Sequence, residues 1–227
     1  MILWIVLFVL VLAISFVLAA KSMRDFTEIP TKDEEYSLFL IRKTDNLNVQ
    51  LLNSIHEELK KSGLIISFER LFKGKKAALV VFGPKRLLTK YTDLLDLLEL
   101  EDYTNVDVDI ISAWEAGIKN SSKTDQTNKP KIFDNLPQLS EADEFWWQLT
   151  LSNAFQVQIT AVVVSTDQSR RNSLTKTLQT LAPERIIKLP KAFSSAQILD
   201  FYKSRSLRKD TQNPILSSED ILQLVRI

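Results

Sequence analysis

The side chains able to do chemistry in this chain are few, and their spacing limits what each can do. His56 is the single histidine. It falls one helical position beyond an apolar stripe, with no cysteine near it and with the adjacent Glu57-Glu58 facing solvent on the same helix, which is the pattern of a structural histidine rather than a base or metal ligand. Asp107 and Asp109 stand two apart in Val106-Asp107-Val108-Asp109-Ile110. On a strand they would share a face about 7 Å apart, a spacing that could hold Mg²⁺ or serve an Asp-based hydrolase. The same alternation describes any strand with one solvated side, and that is the preferred reading. Lys73, Lys75, Lys76, Lys85 and Arg86 form a candidate basic patch at loop ends. An RNA-recognition strand would set stacking aromatics among such charges. Lys73-Gly74-Lys75-Lys76-Ala77-Ala78-Leu79-Val80 has none, so direct nucleic-acid binding is not expected.

Composition narrows the chemistry further. The chain contains no cysteine, which removes disulfides, thiol catalysis and Cys-based zinc sites. Its only glycines are Gly63, Gly74, Gly83 and Gly117. No pair has the spacing of a phosphate-binding loop, and neither a dinucleotide fingerprint nor a nucleophile elbow can be written with them. Net charge is +1, so no general attraction to polyanions follows. The expectation is a protein that is not an enzyme, with no catalytic residue, no cofactor and no metal site assigned.

The elements that would position these residues begin with Met1 to Ala20. That stretch carries no charge, and Lys21 and Arg24 follow it. About 20 apolar residues suffice for a helix to cross a ~30 Å hydrocarbon core. The reading is an N-terminal transmembrane helix over 1–20, preferred to a cleaved secretory signal because no basic residue precedes the run. Lys21, Arg24 and Lys32 all follow it, which predicts a single-pass cell-membrane protein in contact with membrane lipid, its main body on the cytoplasmic side. Residues 21–34 are then a juxtamembrane linker.

From Tyr36 onward, periodicity alternates. Tyr36 to Ile41 reads as a strand. Leu47, Leu51, Leu52, Ile55 and Leu59 recur at helical spacing, with Gly63 placed as a C-cap. Leu64 to Phe72 and Lys76 to Phe82 are strand-like runs joined by a hairpin. Leu87, Leu88, Tyr91, Leu94, Leu95 and Leu98 suggest a second helix, and Val106 to Ile110 a fourth strand. That order predicts a ferredoxin-like βαββαβ domain over 35–118. Residues 119–131, including Asn120 to Lys131 (NSSKTDQTNKPK), read as a flexible linker. Residues 132–227 read as a second, smaller α/β unit. Its strands are Phe145 to Leu151, Phe155 to Val164 and Arg185 to Leu189. Its helices are Asn172 to Leu181 and Ser195 to Ser206, and a short amphipathic turn closes the chain. The predicted class is α+β. Phe145, Trp146 and Trp147 concentrate aromatic surface and are candidate partner contacts, although alternation sends the two tryptophans to opposite faces. Ile221 and Leu224, on the terminal turn, are candidates for the same role.

Several short segments resemble the region that precedes the motor in membrane-anchored conjugation and type IV secretion ATPases of the HerA–FtsK type. They are Glu35-Tyr36-Ser37-Leu38-Phe39-Leu40-Ile41, Ile66-Ser67-Phe68-Glu69 and Phe155-Gln156-Val157-Gln158-Ile159. Tyr103-Thr104-Asn105-Val106-Asp107-Val108 looks like the family's Tyr-Pro-x-x-x-Val stretch, with Thr104 in place of proline. Ile215-Leu216-Ser217-Ser218-Glu219-Asp220-Ile221 looks like the family's run into the ATPase. The ATPase core and its phosphate loop are missing, so no family catalytic residue carries over. The resemblance implies a membrane-anchored docking or scaffold module for a conjugation or type IV secretion-like ATPase acting in trans. An inner-membrane pilus or type II secretion platform component, with its soluble part outside, is the alternative. A homo-oligomer is compatible with both.

Overall fold

Leu51, Leu52, Ile55 and Leu59 line one side of helix α1 (Val49–Ser62) and are buried. Asn48 caps its start, accepting from the Leu51 N–H, and Gly63 ends it in the left-handed region at φ 70°. That C-cap is the residue the sequence marks for it. The structure is a computed structural model in which residues 8, 11–12, 14–15, 26–27, 34–118, 133, 136–152, 156–180, 186–188, 193–208 and 215–225 are described.

The strands are β1 (Phe26–Thr27), β2 (Tyr36–Ile41), β3 (Ile66–Lys73), β4 (Lys76–Pro84), β5 (Leu97–Leu100), β6 (Ile111–Ile118), β7 (Glu144–Leu151), β8 (Val157–Val164), β9 (Ile186–Lys188) and β10 (Leu207–Arg208). Helices after α1 are α2 (Lys85–Leu88), α3 (Thr92–Leu95), α4 (Gln168–Gln179), α5 (Ser195–Ser204) and α6 (Ser218–Val225). Lys73 pairs with Lys76, leaving Gly74-Lys75 as a two-residue hairpin loop. Gly74 sits at φ 55°, in the loop position a type II′ hairpin reserves for glycine.

Eight strands form one antiparallel sheet in the order β5-β2-β4-β3-β7-β8-β6-β9, while β1 and β10 pair separately. Both sides of the sheet are covered, so β7 and β8 are buried almost throughout. On the back face Phe68, Phe72, Leu79, Val81, Phe145, Trp147, Leu149 and Ile159 pack against apolar residues of α1, α4 and α6. On the front face Trp146, Val162, Ala113 and Ile111 meet Ile198, Leu199 and Tyr202 of α5, together with Tyr103, Val106 and Ile110 from the segment after β5.

Two parts of the predicted fold are corrected by these facts. A simple ferredoxin-like sheet ends at its outer strands, whereas β3 here continues into β7 along its whole length, from Ile66 opposite Leu151 to Lys73 opposite Glu144. The predicted second helix breaks at Asp96, which adopts φ 51°, and Leu97–Leu100 becomes strand β5 on β2. The predicted strand Val106–Ile110 is instead a 3-10 turn over Val108–Ile110. The next residues, Ile111–Ile118, enter the sheet between β8 and β9. The second correction concerns the membrane. Among the described residues no helix is long and apolar enough to cross one. The predicted span 1–20 lies outside the described residues except for Phe8, Val11, Leu12, Ile14 and Ser15, which are helical. The spanning helix, the lipid contact and the membrane placement are therefore carried no further. Most of the predicted linkers, 21–34 and 119–131, also lie outside the described residues.

Candidate functional site

Strand alternation places Ser67, Glu69 and Leu71 of β3 on the front face. Register then extends a polar row across the middle of the sheet. Glu69 stands opposite Gln148, Gln148 opposite Thr160, and Thr160 opposite Glu115. All four are buried. A charged carboxylate at the centre of a sheet is costly unless it is paired and hydrogen-bonded.

Helix α5 supplies the partner. Its start is fixed by a capping box, in which the Ser194 hydroxyl accepts from the Gln197 N–H and the Gln197 side chain accepts from the Ser194 N–H. Its end is fixed by Arg205, held left-handed at φ 50°. From that position the guanidinium drops onto the sheet. Arg205 Nε donates to Glu69 Oε1 at 2.7 Å and Nη2 donates to Oε2 at 3.4 Å. Nη1 donates to Asp102 Oδ2 at 2.8 Å and to the Lys203 carbonyl at 3.0 Å. Nη2 also reaches Asp102 Oδ1 at 3.5 Å. The planar group lies over the Phe82 ring, 4.4 Å from its centroid.

Glu69 is 0% exposed and Arg205 2%. Around Glu69 three further donors close in: Tyr103 Oη at 2.6 Å, Gln148 Nε2 at 3.1 Å and Ser67 Oγ at 3.1 Å. Tyr103 spends its single proton on Glu69, so the 2.6 Å contact between the tyrosine hydroxyls has Tyr202 donating to Tyr103. Gln148 also donates to the Tyr202 carbonyl at 2.8 Å. Burial, and after it the Glu69 charge, pushes both tyrosines well above the ordinary phenol range. Burial opposes the Arg205 charge, but Glu69 and Asp102 outweigh it and hold the guanidinium above its ordinary value. Burial likewise pushes Asp102 up, and the Arg205 and Thr104 donors more than reverse this, leaving it below the usual carboxylate range.

With five donors on two oxygens, the Glu69 carboxylate does the work of a clamp. A general base needs a lone pair turned toward a substrate proton. What the clamp fastens is specific. Asp102 and Tyr103 follow β5 directly, so the network ties the end of that edge strand, and the segment crossing the front face, to α5 and to the centre of the sheet.

The edge so fixed is chemically distinctive. β5 hydrogen-bonds β2 on one side, and among the described residues no strand pairs with its other side. Leu98 is 51% exposed and Leu94, in the short helix before it, 45%. Glu99 and Glu101 are exposed too. Glu99 takes a hydrogen bond from Lys85 at 3.0 Å.

The residues expected to matter lie elsewhere. Phe145 and Trp147 are buried in the back-face core, where Phe145 stacks on Phe72 at 5.7 Å and Trp147 meets Phe133 edge-on at 5.4 Å. Trp146 is buried under Tyr103 and Tyr202 on the front face, its indole N–H on Glu144 at 3.0 Å. Ile221 and Leu224 are buried, and α6, which carries them, packs on α1, where Ser218 hydrogen-bonds Asn53. These five side chains are core. The basic residues do not gather. Lys73, Lys75 and Lys76 sit at one end of β4, Lys85 and Arg86 at the other, about 27 Å apart by strand rise. Lys73 is occupied by Glu144 at 2.7 Å, and Lys85 by Glu35 and Glu99. Asp107 caps the 3-10 turn, accepting from the Asp109 N–H, so the two carboxylates do not share a strand face. His56 is half-buried on α1. Among the described residues no group of three or more His, Cys, Asp or Glu side chains is placed to hold a metal ion.

None of Glu69, Arg205, Tyr103 and Gln148 is a candidate site residue by sequence; Glu69 and Tyr103 stand there only within the resemblance motifs. One signal was present: an acid inside Ile66-Ser67-Phe68-Glu69-Arg70-Leu71-Phe72, a run too apolar to be solvated, demands a buried partner. No known family model, curated protein or solved structure matches the chain.

Proposed function

We infer that this chain is a protein-docking module whose working surface is the edge strand β5. The observation that carries the reading is the side of β5 that no described strand pairs with, beside two exposed leucines, Leu94 and Leu98. Unpaired strand edges take extended segments of other chains, with backbone hydrogen bonds giving affinity and alternate side chains giving selectivity. The Glu69–Arg205 clamp supports it, because a surface already held in place loses less freedom when a partner arrives. The partner implied by the resemblance, an ATPase of the HerA–FtsK type supplied in trans, is the first to test.

A photo-crosslinking amino acid placed at Leu98 tests the reading against the same group at Lys176, an exposed position on α4. The expected result is one dominant adduct from position 98, mapping to a single segment of the partner, and none from position 176. Equal labelling from both positions overturns it.

A further inference from the structure

The side chains of β5 specify more than an open edge. Leu98 pairs with Leu40 and Leu100 with Leu38, which sets both on the front face, while Leu97 and Glu99 alternate to the back. Glu101 follows at the next even step. An added strand would meet Leu98 and Leu100 on one face, and on the other Leu97, Glu99 and, just past the end of β5, Glu101. From Thr92 to Ile118 the chain has no lysine or arginine, and Asp93, Glu99 and Glu101 are all exposed around the edge.

The geometry points to a partner segment that is extended and alternates apolar with basic residues, its apolar side chains over Leu98 and Leu100 and its cations beside Glu99 and Glu101. This rests on the docking reading above and names the chemistry of the partner. Cross-strand neighbours lie about 4.5–5.5 Å apart, so opposite charges on that face attract and like charges repel. A second copy of this chain is the wrong occupant for the same reason, since it would bring an acidic edge against an acidic edge. Lys85, half-buried and shared between Glu35 and Glu99, already reaches Glu99, but an ion pair at the surface is a weak competitor for an incoming cation. The lysine also shows that this carboxylate is placed to receive one.

The test uses the full chain and two labelled synthetic peptides, one alternating lysine with valine and one alternating glutamate with valine. Fluorescence anisotropy is read against ionic strength, and backbone hydrogen exchange is followed at Leu97–Leu100. The lysine–valine peptide is expected to bind at least tenfold tighter than its acidic counterpart, to weaken as salt rises and to slow exchange in β5. Leu98→Lys and the pair Glu99→Lys with Glu101→Lys are each expected to weaken it at least tenfold. All three positions are exposed, and an unchanged near-ultraviolet circular dichroism for each variant is the check that the fold is kept. The proposal falls if neither peptide binds at millimolar concentration, if the acidic one binds as well, or if the variants bind like the parent. It also falls if exchange in β5 is unchanged at saturation, or if sedimentation shows a dimer that Leu98→Lys dissolves, which would make the occupant a second copy. A position-98 adduct to a non-basic segment would sink this chemistry and leave the docking reading standing.

Discussion

Removing the Arg205 side chain would leave Glu69 buried against Tyr103, itself bonded to Tyr202, with its counter-charge gone. Breaking a buried pair from one side costs about 3–5 kcal/mol, whereas replacing both partners by apolar groups of similar volume is often neutral. Arg205→Ala is therefore expected to lower the urea midpoint by an amount equivalent to about 3–5 kcal/mol. The double variant Glu69→Gln with Arg205→Met should recover part of that loss, because it removes the buried charge while the amide oxygen still accepts from Ser67 and Gln148. A double variant as unstable as the single one would show that the ion pair is not what Arg205 contributes. Of this cluster only half could be read in the sequence. Glu69 stands out in an apolar strand, but its partner is far along the chain, and nothing about Arg205 announces that it turns inward. Its left-handed backbone, the feature that aims the side chain down, has no signature in a residue type that seldom adopts it.

At the scale of elements, the point where expectation and structure part is Asp96. Leu87, Leu88, Tyr91, Leu94, Leu95 and Leu98 fit a helical period, but the chain stops being helical at α3 and restarts as β5. A short run containing Leu94-Leu95-Asp96-Leu97-Leu98 satisfies both periods, and the sheet's need for a partner on β2 decides between them. The longer, cleaner signals were readable: α1 with its glycine cap, the Gly74 hairpin, and β7 and β8. Pairing between distant strands was not, because periodicity says which face a residue takes but not which strand lies beside it. The break depends on φ 51° at Asp96. Asp96→Ile, which resists that conformation, is expected to lose roughly 1–2 kcal/mol in thermal or urea unfolding, while Asp96→Gly should lose none. The Arg42–Asp96 contact at 3.7 Å is exposed and contributes little to the comparison. Equal behaviour of the two variants would show that the turn does not set the start of β5.

For the whole molecule, the tyrosines form a single reporter. The chain has four of them. Burial pushes Tyr36 up to about 12 and raises Tyr91, and Tyr103 and Tyr202 lie well above the ordinary value. A group whose folded pKa is raised lends stability that is complete below its unfolded pKa, about 10 for tyrosine. That stability is lost as pH climbs from there toward the folded values. Alkaline titration followed at 295 nm should therefore show less tyrosinate near pH 10 than four free phenols would give, then a steep rise coincident with loss of near-ultraviolet circular dichroism. Gradual ionisation with the fold intact would contradict the enclosure of Tyr103 and Tyr202. Asp102 acts at the other end with opposite sign: its folded pKa is depressed, so its contribution is present above about pH 4 and fades as pH falls through the lower value.

The interleaving of β6 carries a consequence for synthesis on the ribosome. Once Ile118 has emerged, β6 has neither of its neighbours, because β8 and β9 are both encoded downstream, and the outer side of β3 still awaits β7. The growing polypeptide must carry β6 without a mate, and β3 with one bare edge, through translation of the next forty or so codons (about 2–8 s at 5–20 residues per second). A nascent chain in that state is a natural client for a holding chaperone, and its folding is set by when the later strands arrive rather than by how fast the early ones collapse.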